Sequence, residues 1–245
     1  MFWWQDEVGH GVRVAFTDRG AGNLALHTGD DPAAVRERRA ALEREMGVGG
    51  GSLLFLEQVH GTEVADADRP DRPAVPTADA AVTATGVPLA VMVADCLPVV
   101  LVATGPEGPV TAVAHAGRRG LLDGVLERTV ERMRARGAHG VAAWIGPSVC
   151  GSCYEVPTAM REQSARRIPA VAATTAWGTP ALDLRAGARD RLAGLGVDVT
   201  EPAAAGPPCT LENERLSSHR RDPRSGRFVG LVWRGTPGDR AERAA

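Results

Sequence analysis

The chain of 245 residues contains no lysine; all 28 of its basic positions are arginine. Chemistry that depends on a primary amine goes with it. A Schiff-base nucleophile and a P-loop NTPase both require lysine, so both are excluded. Handling of phosphate or carboxylate falls to arginine, backbone N–H groups or a metal. The chain also lacks an excess of either charge, since its net charge is −2, so nothing draws it to nucleic acid or to a membrane surface. No apolar run reaches the ~18 residues of a membrane span. The segment 1–7 has no basic stretch followed by an apolar one, so the expected location is the cytoplasm. Thiols stay reduced there, and the four cysteines (Cys96, Cys150, Cys153 and Cys209) are read as ligands, nucleophiles or packing groups rather than as disulfides.

What is present is an ordinary globular composition, 44% hydrophobic and 24% charged. Local signals divide it into elements. Val12–Phe16 alternates as a strand. Asp31 before Pro32 caps a helix predicted over Pro32–Met46, which Gly47 stops. Ser52–Val59 and Ala78–Thr83 read as strands. Leu89–Ala94, Val99–Ala103 and Val110–Ala114 are apolar nearly throughout, as strands buried on both faces are. Leu121–Arg136 carries one apolar face and one charged face and is predicted as a single helix ended by Gly137. A strand is expected at Val141–Ile145, helices at Thr158–Arg167 and Leu184–Leu195, and strands at Val197–Thr200 and Phe228–Trp233. With no internal repeat and no clear linker, one α+β domain over residues 1–235 is expected, with residues 236–245 a disordered tail.

Three potential ligands close predicted strands: His60, Cys96 and His115. Imidazole and thiolate suit Zn²⁺, and three protein ligands leave a fourth position for water or substrate. Their spacing matches no compact zinc-finger pattern. A packed cysteine with two loop histidines is an alternative reading, and a Cys96–His115 nucleophile and base is another. His115-Ala116-Gly117-Arg118-Arg119-Gly120 precedes the amphipathic helix, where backbone N–H groups and arginines attract anions; a plain strand-to-helix turn with solvated arginines would look the same. Cys150-Gly151-Ser152-Cys153 is a C-x-x-C in a loop after Gly146-Pro147. It is placed wrongly for a thioredoxin-type pair, and no second C-x-x-C completes a zinc knuckle, so the cysteines read as incidental. Residues 209–227 hold five arginines and read as a solvated loop or a substrate flap.

Taken in order, Gln58-Val59-His60-Gly61, Ala78-Asp79-Ala80, Ala94-Asp95-Cys96-Leu97-Pro98, His115-Ala116-Gly117-Arg118-Arg119-Gly120, Ile145-Gly146-Pro147-Ser148, Cys153-Tyr154-Glu155-Val156, Leu182-Asp183-Leu184 and Ser218-His219-Arg220-Arg221-Asp222 form a series. It resembles the YfiH-type family, long labelled laccase-domain or polyphenol oxidase and later recognised as purine nucleoside phosphorylases. The resemblance spans Val12 to Trp233. It implies an α+β domain of mixed β-sheets flanked by helices, with one zinc ion bound by His60, Cys96 and His115. It implies phosphorolysis of adenosine, inosine, guanosine and methylthioadenosine, with adenosine deamination as a side activity. Cys96, His115 and Arg119 are the expected catalytic residues. Asn23, Gln58, Asp79, Arg118 and Arg220 are the expected substrate contacts, with Arg119 and Arg118 holding phosphate. The family usually carries Trp where Arg118 stands. Purine nucleosides and phosphate are the expected partners of a monomer or weak homodimer. A copper polyphenol oxidoreductase and a Cys/His hydrolase are the alternatives. Copper is the weaker expectation, because a laccase needs several coppers and many histidines and this chain has six.

Overall fold

A computed structural model describes residues 1–202 and 206–235; the expected tail at 236–245 lies outside them. The amino-terminal half is built of β1 (Phe2–Glu7), β2 (Val12–Thr17), α1 (Pro32–Met46), β3 (Val64–Asp66), β4 (Ala80–Thr83), β5 (Leu89–Val93), β6 (Leu97–Gly105) and β7 (Gly108–Ala116). Then come α2 (Arg118–Asp123), α3 (Val125–Arg134), β8 (His139–Ile145), α4 (Thr158–Arg167), β9 (Ala172–Thr174), β10 (Pro180–Leu182), α5 (Leu184–Gly194), β11 (Asp198–Thr200) and β12 (Phe228–Arg234).

The strands form a four-stranded sheet in the order β1-β2-β12-β5, a six-stranded sheet in the order β11-β8-β6-β7-β4-β3, and the small pair β10-β9. The two large sheets stack. Val14, Phe16, Val91 and Val232 of the first pack against Ala81, Val100, Val102 and Val113 of the second. The outer face of the first is covered by α1 through Leu42 and Met46, against Ala15, Met92 and Leu231. The outer face of the second is covered by α2, α3 and α5, whose Leu121, Val125, Val130 and Leu192 meet Val99, Leu101 and Ala114. The unbroken apolar character of β5, β6 and β7 follows from this layering. Successive side chains leave a strand on opposite faces, so Val99 and Leu101 point to the helices while Val100 and Val102 point to the other sheet. Each fully buried Leu or Val contributes about 1.5–3 kcal/mol.

Helix α1 begins and ends as its residues dictate. The Asp31 carboxylate accepts from the N–H of Ala33, and Gly47 closes the helix in the left-handed region at φ 69°. Two expectations are corrected. The predicted single helix Leu121–Arg136 is two helices, because Gly124 sits between them at φ 96°. The apolar periodicity continues across the break, so the pattern alone does not reveal it. The predicted strand Ser52–Val59 is an extended segment joined to its neighbours only by single bridges, Leu54 to Leu89 and Glu57 to Thr77. The strands β1, β3, β9 and β10 were not anticipated.

Candidate metal centre and its cavity

The site stands where three strand ends meet. Strands β6 and β7 form a hairpin in which Leu97 pairs with Ala116 and Gly105 with Gly108. Its open end therefore brings Cys96, just before β6, next to His115, near the end of β7. Strand β4 runs antiparallel to β7 with Ala80 opposite Ala114, which sets Asp79 beside His115. His60 comes in from the extended segment on the amino-terminal side.

Asp79 is fully buried and organises both histidines. Its carboxylate accepts the backbone N–H of Val59, His60 and Gly61 at 3.2, 2.9 and 2.6 Å. Its Oδ1 lies 2.8 Å from His115 Nδ1. His60 is thereby held at φ 60°, a region that side chains rarely occupy. Such strain persists only where the surroundings enforce it, and three N–H bonds to one carboxylate do so here. Asp95, at φ 84°, is another such residue at the site. Its carboxylate accepts from Thr210 Oγ1 at 2.6 Å and from the Arg220 N–H at 2.8 Å, which fixes the backbone immediately before Cys96.

One ligand atom from each of His60, Cys96 and His115 lies within 4.8 Å of the others, a grouping that could hold a metal ion. His60 Nε2 and Cys96 Sγ are 3.9 Å apart, and the two imidazoles meet edge to face with centroids 4.7 Å apart. Gly117 forms the floor beneath them. A Cβ there would lie 2.8 Å from His60 Cδ2, 3.2 Å from Cys96 Sγ and 3.5 Å from His115 Nε2, so any side chain would intrude on the three ligands.

The electrostatics pair a thiolate with an imidazolium. Burial would raise the Cys96 thiol, but the hydrogen bond and charge of His115, and then those of His60, bring it down to about 6. Burial would lower His115, but Asp79 and Cys96 raise it to about 9. Burial likewise works against the Asp79 carboxylate, and its His115 and Gly61 hydrogen bonds hold it below the ordinary value. A thiolate beside such a histidine is suited to nucleophilic attack or to metal ligation.

A cavity of about 340 Å³ opens over Cys96, His60 and His115. That volume lies in the range of small-molecule sites, about 300–1,000 Å³. Met92, Val93, Val149 and Leu184 supply apolar wall, and His27, Tyr154, His219, Arg220 and Arg227 supply polar groups. The Arg220 guanidinium lies 5.0 Å from the centroid of the Tyr154 ring and donates to the Glu155 carbonyl. Burial lowers Arg227, and burial together with the charges of Arg227 and Arg39 lowers His27, which favours its neutral form.

The structure brings some of the expected site residues together and not others. Gln58 lines the cavity, but its amide is tied to β5, donating to the Met92 carbonyl and accepting the Met92 N–H at 2.7 and 2.8 Å. Arg220 lines it as well. Asp79 lies beneath the histidines. Arg118 is half-buried at the start of α2, close enough for its charge to act on Tyr154. Arg119 is exposed and is not part of the cavity wall. Asn23 is also absent from that wall. It braces a loop through Thr28, Asp30 and the Ala25 carbonyl. Arg227 belongs to the arginine-rich stretch 209–227 that reads as a loop or substrate flap, and its place on the wall favours the flap; His27 lies in a segment whose sequence marks no site.

Residues 11–235 match the family described as Multi-copper polyphenol oxidoreductase laccase. A relative from Streptomyces coelicolor, named purine nucleoside phosphorylase, is 44% identical over 243 residues, covering 94% of this chain and 98% of its own. Among solved structures, a Neisseria meningitidis protein of family DUF152 has a TM-score of 0.80 at 32% identity, covering 96% of this chain and 99% of that one. The Bacillus licheniformis protein YfiH, at 24% identity, shares the fold with a TM-score of 0.78 and coverage of 91% and 92%. No helix among the described residues is long and apolar enough to cross a membrane.

Proposed function

We propose, for a chain that belongs to the Multi-copper polyphenol oxidoreductase laccase family, that it is a purine nucleoside phosphorylase with one zinc ion at His60, Cys96 and His115. The observation that carries this reading is the convergence of that ligand group with Arg220 and Arg227 on one cavity, in a chain 44% identical to a protein named for the activity.

The residues fit zinc. Two imidazoles and a thiolate are its usual ligands, and three of them leave a fourth position open. His115 points its Nε2 toward Cys96 because Nδ1 is committed to Asp79, the carboxylate–histidine arrangement that orients metal ligands. Gly117 leaves the space clear. When bound, zinc supplies a Lewis acid or a water of lowered pKa.

The reaction joins a phosphate oxygen to C1′ of the ribose as the bond from C1′ to the purine nitrogen breaks. The bonding electrons leave with the base, which takes up a proton. Arg220 and Arg227 can hold the phosphate dianion through charge-assisted hydrogen bonds, the role lysine cannot fill here. Arg118 adds positive charge near Tyr154. Val93, Val149 and Leu184 offer an apolar face to the purine, and the neutral His27 a donor or acceptor to its edge. Asp79 and Gln58 act on position, holding the histidines and β5, rather than on substrate. The same site would account for methylthioadenosine cleavage and for adenosine deamination as a side activity.

Copper oxidase chemistry, which the family description names, calls for several copper sites. Among the described residues only one ligand group contains histidine, and it has two. Incubation with inosine and phosphate tests the proposal. Phosphate-dependent release of hypoxanthine and ribose 1-phosphate is expected, with zinc and not copper in the purified protein. Inert inosine and adenosine, or several coppers per chain, would refute it.

A further inference from the structure

The C-x-x-C that looked incidental in sequence has a partner from elsewhere in the chain. Cys150, Cys153, Cys209 and Glu212 each offer a ligand atom, all within 4.8 Å of one another. We infer that these four residues form a second, structural zinc site, separate from the cavity centre.

Two short turns build it. Residues 148 and 209 form a parallel bridge, in which Ser148 N donates to the Pro208 carbonyl and Thr210 N to the Ser148 carbonyl. This sets the start of each turn side by side. The first turn is closed by Cys153 N and Tyr154 N donating to the Cys150 carbonyl, the second by Asn213 N donating to the Cys209 carbonyl. Each turn presents ligands three residues apart, C-x-x-C in one and C-x-x-E in the other, so the pair reproduces the two-knuckle layout of structural zinc sites with a carboxylate in one place. The Cys150 N–H points at Cys209 Sγ at 3.5 Å, and Cys153 Sγ donates to Glu212 Oε1 at 3.3 Å. Cys153 and Cys209 are buried with Val149, Cys150 half-buried and Glu212 exposed, so the thiols sit inside and the carboxylate closes the site from the solvent side. Three soft thiolates and one carboxylate oxygen are four protein ligands of the kind structural zinc sites use, a set that would favour zinc over oxygen-seeking cations and leave no position for a catalytic water.

The site has work to do in the fold. The turn at 209–213 carries Thr210, which holds Asp95 next to Cys96, and its carbonyls receive Arg221. The turn at 150–154 leads into Tyr154 of the cavity wall. An ion binding both turns would fasten one wall of the cavity without touching the substrate.

The test is metal analysis of the reduced, full-length protein beside a Cys150→Ser/Cys209→Ser double variant. The variant is expected to lose about one zinc per chain relative to wild type, whatever the cavity centre holds, and to melt at a lower temperature. A second measurement covers a variant that does not fold. In native wild-type protein, Cys150 is expected to resist iodoacetamide until a chelator is added, with alkylated sites read by peptide mass spectrometry. Equal zinc in variant and wild type, alkylation of Cys150 before chelation, iron in place of zinc, or a disulfide among these cysteines in freshly reduced protein would each overturn the inference.

Discussion

His115 Nδ1 lies 2.8 Å from Asp79 Oδ1, and the same carboxylate takes the backbone N–H of His60. One buried acid thus orients two of the three potential ligands of the cavity centre. Asp79→Asn keeps the size of the side chain but removes the charge that steadies a protonated or metal-bound His115. Metal affinity is expected to fall about 10–100-fold, measured by competition with a chromophoric chelator, with the fold retained by circular dichroism. Asp79→Ala should also cost stability, about 3 kcal/mol, since three backbone N–H groups and the buried His115 lose their partner.

Gly117 is the position where added bulk should be felt first. Its φ of −68° suits any residue, so Gly117→Ala imposes no backbone strain. The new Cβ would nevertheless fall 2.8 Å from His60 and 3.2 Å from Cys96. On the proposed function, metal content of the cavity centre should drop and phosphorolysis should fall at least ~10-fold, about 1.4 kcal/mol in barrier. Thermal unfolding should change little. Unaltered metal content and rate would show that the floor beneath the ligands has room.

Removal of the metal should expose the ion pair of Cys96 and His115. With the thiol lowered to about 6 and the imidazole raised to about 9, the metal-free pair is charged between these values. Iodoacetamide should therefore modify Cys96 readily at pH 7, where an ordinary thiol is largely protonated. The signs for stability follow. His115 contributes fully below its ordinary value of 6.5 and loses that contribution as pH rises through about 9. Cys96 contributes fully above 9.0 and loses it as pH falls through about 6. A reactivity profile of the chelated protein with its midpoint at an ordinary thiol pKa would contradict this pairing.

Arg220 and Arg227 are the arginines on the cavity wall. If they hold phosphate, Arg227→Ala should raise the KM for phosphate by about tenfold or more, the worth of one charge-assisted hydrogen bond at about 1.5–3 kcal/mol. The KM for inosine should move much less. Arg119→Ala, on an exposed side chain outside the wall, should leave both constants near wild type. The reverse ranking would return the phosphate site to the start of α2.

Acid stability should depend on a site remote from the cavity. Asp68 accepts from Thr83 and Thr85 hydroxyls, the Ala84 N–H and Arg136, and Arg136 also pairs with Asp66. Burial opposes the charge, but these bonds hold Asp68 down at about 2. A carboxylate so depressed stabilises the fold above 3.8 and stops doing so as pH falls through about 2. Asp68→Asn should cost about 1–2 kcal/mol near neutral pH, allowing for solvent screening. The difference from wild type should shrink in acid, as read by urea unfolding at several pH values.

Much of this was legible in the chain because the signals are local. Asp31 and Gly47 bound α1 through their own capping geometry, and the apolar runs of β5, β6 and β7 announced strands covered on both sides. Absence of lysine narrowed phosphate handling to arginine, backbone N–H groups or a metal before any fold was known. His60, Cys96 and His115 could be named as a group, since each follows a predicted strand. Gly124 escaped because hydrophobic periodicity runs through it, and the segment 52–59 escaped because its alternation lacks a continuous partner strand.

What sequence could not reach is which strand ends and turns are neighbours. Pairing of β4 with β7 puts Asp79 under His115, and one bridge between residues 148 and 209 sets Cys209 against Cys150. His27 reaches the cavity from a segment with no motif of its own, and which arginines of the 209–227 stretch face the cavity is decided by the fold. Local chemistry decides where an element starts and stops, because caps and alternation act over a few residues. Ligand convergence is decided by hydrogen-bond register across sheets, which residue spacing along the chain does not encode.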